Sequence, residues 1–201
     1  MTAARRATIE FLLDNLVWLM LIVVLIVFSL TVPHFFQFGI FTNILEQSTF
    51  VGVMAIGLAI VIISGNLDLS VESTAALSAM VTGLLFATQG IGLGLTLDPA
   101  WLLLPVSLGI AMLVGALIGF INGFFVVRVG MAAFIVTLAS FIWVRGLVVA
   151  ISGGRSAQRL PDAIRVVGTE DILGIPLLAW ISVACFVIFS ILMAKTPFGR
   201  Y

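Results

Sequence analysis

The stretch at residues 61–80, VIISGNLDLSVESTAALSAM, interrupts a strongly apolar run with two carboxylates, Asp68 and Glu72, and then becomes apolar again. Gly65 and Asn66, which stand just before them, are residue types that favour turns. Ionisable residues are costly inside a membrane span and often mark function. The meaning of the two acids therefore depends on whether the segments around them cross a membrane.

Composition places the chain in a membrane. Of its 201 residues, 62% are hydrophobic and only 9% are charged, whereas a soluble domain carries about 25% charged residues. The net charge is zero and no basic run occurs, so nothing indicates binding to nucleic acid. The single cysteine, Cys185, cannot form an internal disulfide.

Apolar runs long enough to cross a bilayer need roughly 17–25 residues. Six follow one another along the chain, at residues 16–32, 47–63, 69–88, 101–127, 129–151 and 172–194. The first is too long for the core of a signal peptide, so we interpret it as a retained span. The sequence therefore predicts an all-α, polytopic helical membrane protein with about six transmembrane helices, forming a single transmembrane domain over residues 1–201.

Basic residues on short flanks predict the orientation, because they favour the cytoplasmic side. With six spans, the flanking basic residues fall on one side: Arg5, Arg6, Arg128, Lys195 and Arg200. The loop at 88–99, on the other side, has no Lys or Arg. The loop at 152–174 has three arginines, offset by three acids, and is expected to have some structure of its own. We predict a cytoplasmic N-terminus.

Two spans carry small residues at every fourth position, which places them on one stripe of each helix. On the third span these are Ala75, Ala79, Gly83 and Ala87, and on the fourth they are Ala111, Gly115, Gly119 and Gly123. Small residues let helix backbones approach closely inside a membrane. We therefore expect both stripes to pack against other helices, and Gly119→Leu to force two backbones apart.

The two acids have two compatible interpretations. Asp68 can cap a helix that begins at Leu69, and Glu72 then lies about one turn further, still near the positive end of the helix dipole. Alternatively, the helix is discontinuous, and its loop lines an aqueous pathway at membrane depth. The sequence leaves both open.

Three segments, in order, resemble sugar permeases of the ATP-binding-cassette importer superfamily, specifically the ribose-type group, to which the branched-chain amino-acid permeases are related. They are AIGLAIVIISGNLDLSVES at 55–73, GFINGFFVVRVGMAAFIVTLASFIWVRGLVVAISGG at 119–154, and TPFGRY at 196–201. The chain departs from the family pattern in three places. Glu72 stands where the family usually has glycine, Asn66 stands where it often has glycine, and residues 131–133 replace a segment that often contains proline.

The resemblance implies a permease subunit that forms part of a sugar path while a separate ATPase supplies the energy. It implies cytoplasmic ATPase subunits, a second permease in a homodimer or heterodimer, a periplasmic sugar-binding protein, and the bacterial inner membrane. Members have roughly ten spans, so the chain is expected to correspond to the N-terminal part and to be truncated at its C-terminal end. Candidates for the pathway or the helix break are Asn66, Asp68, Ser70, Glu72 and Asn122, and candidates for the start of the ATPase-coupling loop are Thr196, Gly199 and Arg200.

Other classes of protein have less support. The chain has no phosphate-binding GxxxxGK[ST] motif and no cluster of Cys and His, so the sequence predicts neither an ATPase nor a metal enzyme, and no cofactor. One alternative is a secondary transporter that couples to protons or sodium through Asp68 and Glu72. Another is an accessory membrane protein that does not transport.

Overall fold

A computed structural model describes residues 11–196, and these residues are almost entirely helical. The helices are α1 (Leu16–Thr31), α2 (Phe38–Ile63), α3 (Val71–Phe86), α4 (Leu103–Gly123), α5 (Ala133–Ser152), α6 (Asp162–Thr169) and α7 (Leu177–Lys195). A 3-10 turn, Ala100–Leu102, precedes α4, and a π-helical turn, Phe124–Arg128, follows it. Short antiparallel pairs join β1 (Gln89–Gly90) to β2 (Ala157–Gln158), and β3 (Asp171–Ile172) to β4 (Ile175–Pro176).

The helices confirm the predicted class of polytopic helical membrane protein. Four segments of the described chain are long and apolar enough to cross a membrane: α2, α4 with its flanking turns, α5 and α7. The remaining apolar helices, α1 and α3, have 16 residues each. Sixteen residues span about 24 Å, less than the ~30 Å of a hydrocarbon core. Helix α3 is therefore too short to cross alone, and the segment before it matters.

Several helices begin at residues other than the first residue of the predicted span. Hydropathy indicates which residues lie in the membrane, whereas helix ends depend on where the backbone hydrogen bonds stop. Helix α2 begins at Phe38, well before residue 47. The residues around Glu46 are too polar to count as an apolar run, but they contain no proline, so the helix continues through them. Helix α3 begins at Val71, not at Leu69. Helix α7 begins at Leu177, because residues 171–176 form a β-hairpin that turns at Gly174, where φ is +76°.

The chain divides into two compact units between Leu45 and Glu46. In the first, four phenylalanine rings contact one another, with centroids between 5.4 and 6.2 Å apart: Phe28, Phe35, Phe36 and Phe41. Clustered aromatic rings are typical of the interface between membrane and water. The single transmembrane domain over residues 1–201 stays a prediction.

Helix α3 is the centre of the second unit and packs against both α4 and α5. The buried core joins Leu77, Ile118 and Val144, one from each of these helices, with four half-buried residues around them: Val81, Val114, Val148 and Ile151. Most other large apolar side chains are exposed. Because lipid is as apolar as these side chains, burial adds little in a membrane, and close packing at α3 determines the arrangement.

The β1–β2 pair brings together the loops that follow α3 and α5. Thr88 donates from both its backbone N–H and its hydroxyl to the Arg159 carbonyl, each at 3.0 Å. At Gly83, an added Cβ would lie 2.9 Å from the Ala157 Cβ, so the backbones approach closely there. The six-span topology requires these two loops to share one side of the membrane, and their pairing agrees with it. Which side that is stays a prediction.

Candidate functional site

The apolar chain breaks between α2 and α3, at residues 64–70. Gly65 adopts a left-handed conformation, with φ at +79°. The Asn66 N–H donates to the Val61 carbonyl at 3.1 Å, and the Gly65 N–H donates to the Ile62 carbonyl at 2.9 Å. This pair of bonds is a Schellman motif, which ends a helix at a glycine. The residues GN that predicted a turn therefore terminate α2.

Asp68 binds the start of α3. Its Oδ1 accepts from the Ser70 N–H at 2.8 Å and from the Ser70 hydroxyl at 2.6 Å. The Ser70 carbonyl in turn accepts the first helical bond, from the Thr74 N–H at 2.9 Å. The carboxylate thus acts at the helix start, as one interpretation expected, although the capping position is Ser70 and the helix begins two residues later than expected.

A chain of buried hydrogen bonds connects the break to α4 and α5. Asn122 Nδ2 donates to Ser70 Oγ at 2.9 Å, and Ser140 Oγ donates to Asn122 Oδ1 at 2.5 Å. Trp143 Nε1 lies 3.3 Å from Ser140 Oγ and donates to it. Ser70, Asn122 and Ser140 are only 1%, 5% and 3% exposed. A buried and satisfied polar chain of this kind holds its members in one arrangement.

Two of the predicted candidates, Ser70 and Asn122, meet in this chain, whereas the sequence did not reveal Ser140 or Trp143. A signal for Ser140 was present, because it lies three residues after Thr137 and four before Val144, on one face of α5. All three of these side chains are buried. A polar residue on a buried helix face needs a partner.

Two cavities lie beside the break. One, of about 250 Å³, we term the Thr137 cavity; its polar lining comprises Ser64, Asn66, Asp68, Asn122 and Thr137. The other, of about 240 Å³, we term the Thr74 cavity; its polar lining comprises Asp68, Ser70, Thr74 and Ser78. Asp68 and Gly119 line both cavities. Four of the candidates therefore border these cavities, namely Asn66, Asp68, Ser70 and Asn122, and their role in a pathway stays a prediction.

Glu72 has a different environment. Its Oε1 lies 2.5 Å from Arg145 Nη1, in an ion pair between the first turn of α3 and α5. The Glu72 and Arg145 side chains are 66% and 56% exposed, and Glu72 lines neither cavity. The sequence singled out Glu72 without a partner. Two opposite charges inside otherwise apolar spans were the available signal.

The small-residue stripes are placed as follows. On α3, Ala75 and Ala79 are exposed, whereas Gly83 and Ala87 are buried. Helix α4 contacts α3 near the start of its stripe, where Ser78 Oγ donates to the Ala111 carbonyl at 3.2 Å. The other residues of the α4 stripe are Gly115, Gly119 and Gly123. If a Cβ were added at any of them, no described atom of a neighbouring element would lie within 4 Å of it. Close packing by these glycines stays a prediction.

Thr196, the first candidate of the coupling loop, follows α7. Its N–H and its hydroxyl both donate to the Leu192 carbonyl, at 3.2 and 2.6 Å. Gly199 and Arg200 lie outside the described residues, as do Arg5 and Arg6. The start of the coupling loop therefore stays a prediction.

Known proteins resemble this chain over most of its length. It is 32% identical to the ribose import permease protein RbsC of Haemophilus influenzae, over 96% of this chain and 57% of the relative. It is 30% identical to the autoinducer 2 import system permease protein LsrC of Yersinia enterocolitica, over 83% and 43%. It is 32% identical to the L-arabinose ABC transporter permease protein AraH of Azospirillum brasilense, over 86% and 47%. The chain spans about half the length of these relatives.

A family model agrees with these relatives. Residues 40–201 match the model described as the branched-chain amino acid transport system / permease component. No solved structure matches the chain. The match covers the helix break, both cavities and the buried hydrogen-bond chain. The chain therefore belongs to this family of transport permeases, as the three sequence segments predicted.

Proposed function

We propose that this chain is part of a permease subunit that imports a monosaccharide across the bacterial inner membrane. It forms part of the translocation path and does no covalent chemistry. A cytoplasmic ATPase pair supplies the energy, a periplasmic binding protein delivers the sugar, and a second permease subunit completes the path. The observation that carries the proposal is the helix break at residues 64–70, which contributes polar side chains to the lining of two otherwise largely apolar cavities in a chain of this family.

The break suits a path because non-helical backbone at membrane depth requires protein or water as a hydrogen-bonding partner. Protein supplies some of these partners. Asp68 accepts from the Ser70 N–H, and the Thr137 hydroxyl lies 3.4 Å from the Leu67 carbonyl. Water in the two cavities would supply the others. A passing sugar, which carries both donors and acceptors, can replace that water.

The carboxylates favour an importer over a cation-coupled transporter. Glu72 is paired with Arg145, and Asp68 Oδ1 accepts two hydrogen bonds from Ser70. Each acid therefore has a structural partner, whereas a coupling site needs a carboxylate that binds and releases a cation. The names of the relatives also favour an importer, since each is a permease of an import system or an ABC transporter.

The proposed orientation places the N-terminus, Arg128 and Lys195 on the cytoplasmic side. Helix α7 then ends at that side, and Thr196 begins the loop that contacts the ATPase, continuing through Gly199 and Arg200. The basic residues near these helix ends support this orientation.

The test is uptake of radiolabelled ribose and arabinose by the full-length permease, reconstituted with its ATPase and binding protein. Asp68→Asn retains a side-chain oxygen that can accept from the Ser70 N–H, so the contact at the start of α3 can persist without the charge. We therefore expect Asp68→Asn to insert normally, and to lose uptake if the charge serves the path. Uptake by Glu72→Gln is measured in the same assay as a comparison, because Glu72 is a carboxylate that lines neither cavity.

The results separate the alternatives. Uptake that requires ATP and the binding protein supports the importer. Uptake that persists without the ATPase and stops when an uncoupler collapses the proton gradient would establish the secondary transporter instead. Sugar binding without any transport would indicate the accessory protein. Full uptake by Asp68→Asn would restrict Asp68 to its contacts with Ser70 at the start of α3.

A further inference from the structure

Gly119 occupies an unusual position on α4. The glycines one turn to either side each line one cavity, Gly115 the Thr74 cavity and Gly123 the Thr137 cavity, whereas Gly119 lines both. The two cavities therefore follow one another along α4, with a spacing of about 6 Å per four residues. Asp68, from the helix break, is the other residue that borders both.

Neither helix packing nor backbone conformation explains the glycine at this position. No described atom lies within 4 Å of an added Cβ at Gly119, and its φ is not in the left-handed region. Glycine in a helix interior is less favourable than alanine, so its presence here needs a reason. The space that an alanine or a larger residue would fill is therefore the feature that glycine preserves.

The Thr74 cavity also holds an unused polar group. Thr74 Oγ1 is buried and has no hydrogen-bond partner among the described residues. A buried hydroxyl without a partner is destabilising, so a group of this kind calls for a partner. Because this oxygen is closed off from the cavity, it can bond to water or to the hydroxyl of a sugar only when the Thr74 side chain rotates towards the cavity. Asp68 lines the same cavity and can accept from such a ligand.

We propose that the two cavities are successive parts of one sugar path, and that Gly119 and Asp68 form the neck between them. The bare backbone of Gly119 sets the width of the neck, and the Asp68 carboxylate offers it a hydrogen-bond acceptor. This proposal rests on the permease function proposed above. It assigns to Gly119 a role in transport in place of the helix packing that the sequence pattern suggested.

The first test needs no substrate. In full-length permease in which Cys185 is replaced by alanine, single cysteines are placed at Val126, which lines the Thr137 cavity, and at Thr74. A small hydrophilic thiol reagent is applied from the side on which Arg128 lies. We expect it to reach both cysteines when residue 119 is glycine, and only Val126→Cys when Gly119→Leu is added. If the reagent never reaches Thr74→Cys, or still reaches it after Gly119→Leu, the neck does not exist.

The second test is uptake of radiolabelled ribose and arabinose by the series Gly119→Ala, Gly119→Val and Gly119→Leu. We expect uptake to fall with side-chain volume, by on the order of tenfold for leucine, because a clash in the path rejects the substrate. Membrane abundance and thermal stability should stay at the level of the unsubstituted permease. The matched control is Gly109→Leu, on the same helix, where the space around an added Cβ is equally open and the residue lines neither of the two cavities.

Three results would overturn the proposal. Loss of folded protein for Gly119→Leu but not for Gly109→Leu would establish helix packing at Gly119. Normal membrane abundance and full sugar uptake for Gly119→Leu would show that the sugar does not pass beside Gly119. An equal loss of uptake for both leucine variants would show an effect of bulk on α4 in general. If the unsubstituted permease transports neither sugar, the sugar proposal is wrong, and thiol labelling still decides whether the neck exists.

Discussion

The ion pair between Glu72 and Arg145 gives the sharpest prediction for stability. Glu72→Gln removes the negative charge and leaves the Arg145 guanidinium without its counter-ion. Arg145 lies about 10 Å along the axis from the end of α5, at 1.5 Å per residue. The 20 residues of α5 extend over about 30 Å, so if α5 crosses the membrane from end to end, Arg145 lies inside the ~30 Å hydrocarbon core. The unpaired charge would therefore have to be accommodated at membrane depth.

The surroundings of the pair determine the size of the effect. If water covers the pair, it contributes about 0–1 kcal/mol, as surface ion pairs do. If lipid or protein covers the pair, removing one partner costs about 3 kcal/mol. Breaking a buried ion pair and placing an unpaired arginine at the centre of a membrane helix both have costs of about this size. The two side chains are more than half exposed in the described chain. Both nevertheless stand on apolar helices, so we expect the larger value.

The assay is thermal unfolding of the purified permease in detergent, with Glu72→Gln, Arg145→Gln and the double variant. A loss of about 3 kcal/mol lowers Tm by roughly 6–12 °C in a protein of about 150–250 residues, and by less in the longer permease. The double variant should recover most of that loss, because it removes both charges together. Asp162→Asn is the control, since Asp162 pairs with Arg165 at 3.3 Å on the short, polar helix α6.

Two outcomes would refute this reasoning. If Glu72→Gln lowers Tm no more than Asp162→Asn does, water covers the pair. If the double variant is as unstable as the sum of the two single variants, the charges do not interact, and each acts through other contacts.

Two further predictions concern the buried hydrogen-bond chain and the topology. Asn122→Ala removes a donor and an acceptor at once, so we expect a loss of about 1–3 kcal/mol in thermal unfolding; a loss no larger than that of Ser107→Ala, whose hydroxyl bonds only within its own helix, would contradict it. In a cysteine-free permease, a cysteine at Ala3 should react with an impermeant thiol reagent only from the cytoplasm, and one at Ser156 only from outside. The reverse pattern would invert the proposed orientation.

The helices and the break were predictable because they depend on local chemistry. Six apolar runs predicted the apolar helices, since every backbone group in lipid must be bonded within its own segment. The residues GN ended α2 where expected, because glycine takes a left-handed φ that other residues avoid. At the end of α5, Gly153 does the same, with φ at +56°.

Exact helix ends were less predictable. Hydropathy marks where a chain meets the membrane, whereas a helix continues until its hydrogen bonds are interrupted. The polar turn around Glu46 therefore joined α2, although it lies before the predicted span. At Leu69 the error had a different origin, because the Asp68 carboxylate bonds to the Ser70 N–H and delays the first helical turn.

Contacts between helices could not be obtained from spacing alone. Asp68 and Ser70 are neighbours in sequence, so their bond was within reach of local reasoning. The partners Asn122 and Ser140 lie 18 residues apart on different helices. Their contact depends on how α4 and α5 rotate about their axes, which one sequence does not determine. The same limitation hid Arg145 as the partner of Glu72.

The small-residue stripe on α4 shows why one pattern can serve two purposes. Removing side chains lets a neighbouring backbone approach, but it also leaves space when no backbone approaches. Near Ala111 the missing side chains allow close approach, because Ser78 of α3 donates a hydrogen bond to the Ala111 carbonyl. Beside Gly119 they leave open space among the described residues. The neighbouring segment that ends at Ser70 is not helical. Asp68 in the break and Gly119 on α4 line both cavities, and we propose that they are the two sides of one opening.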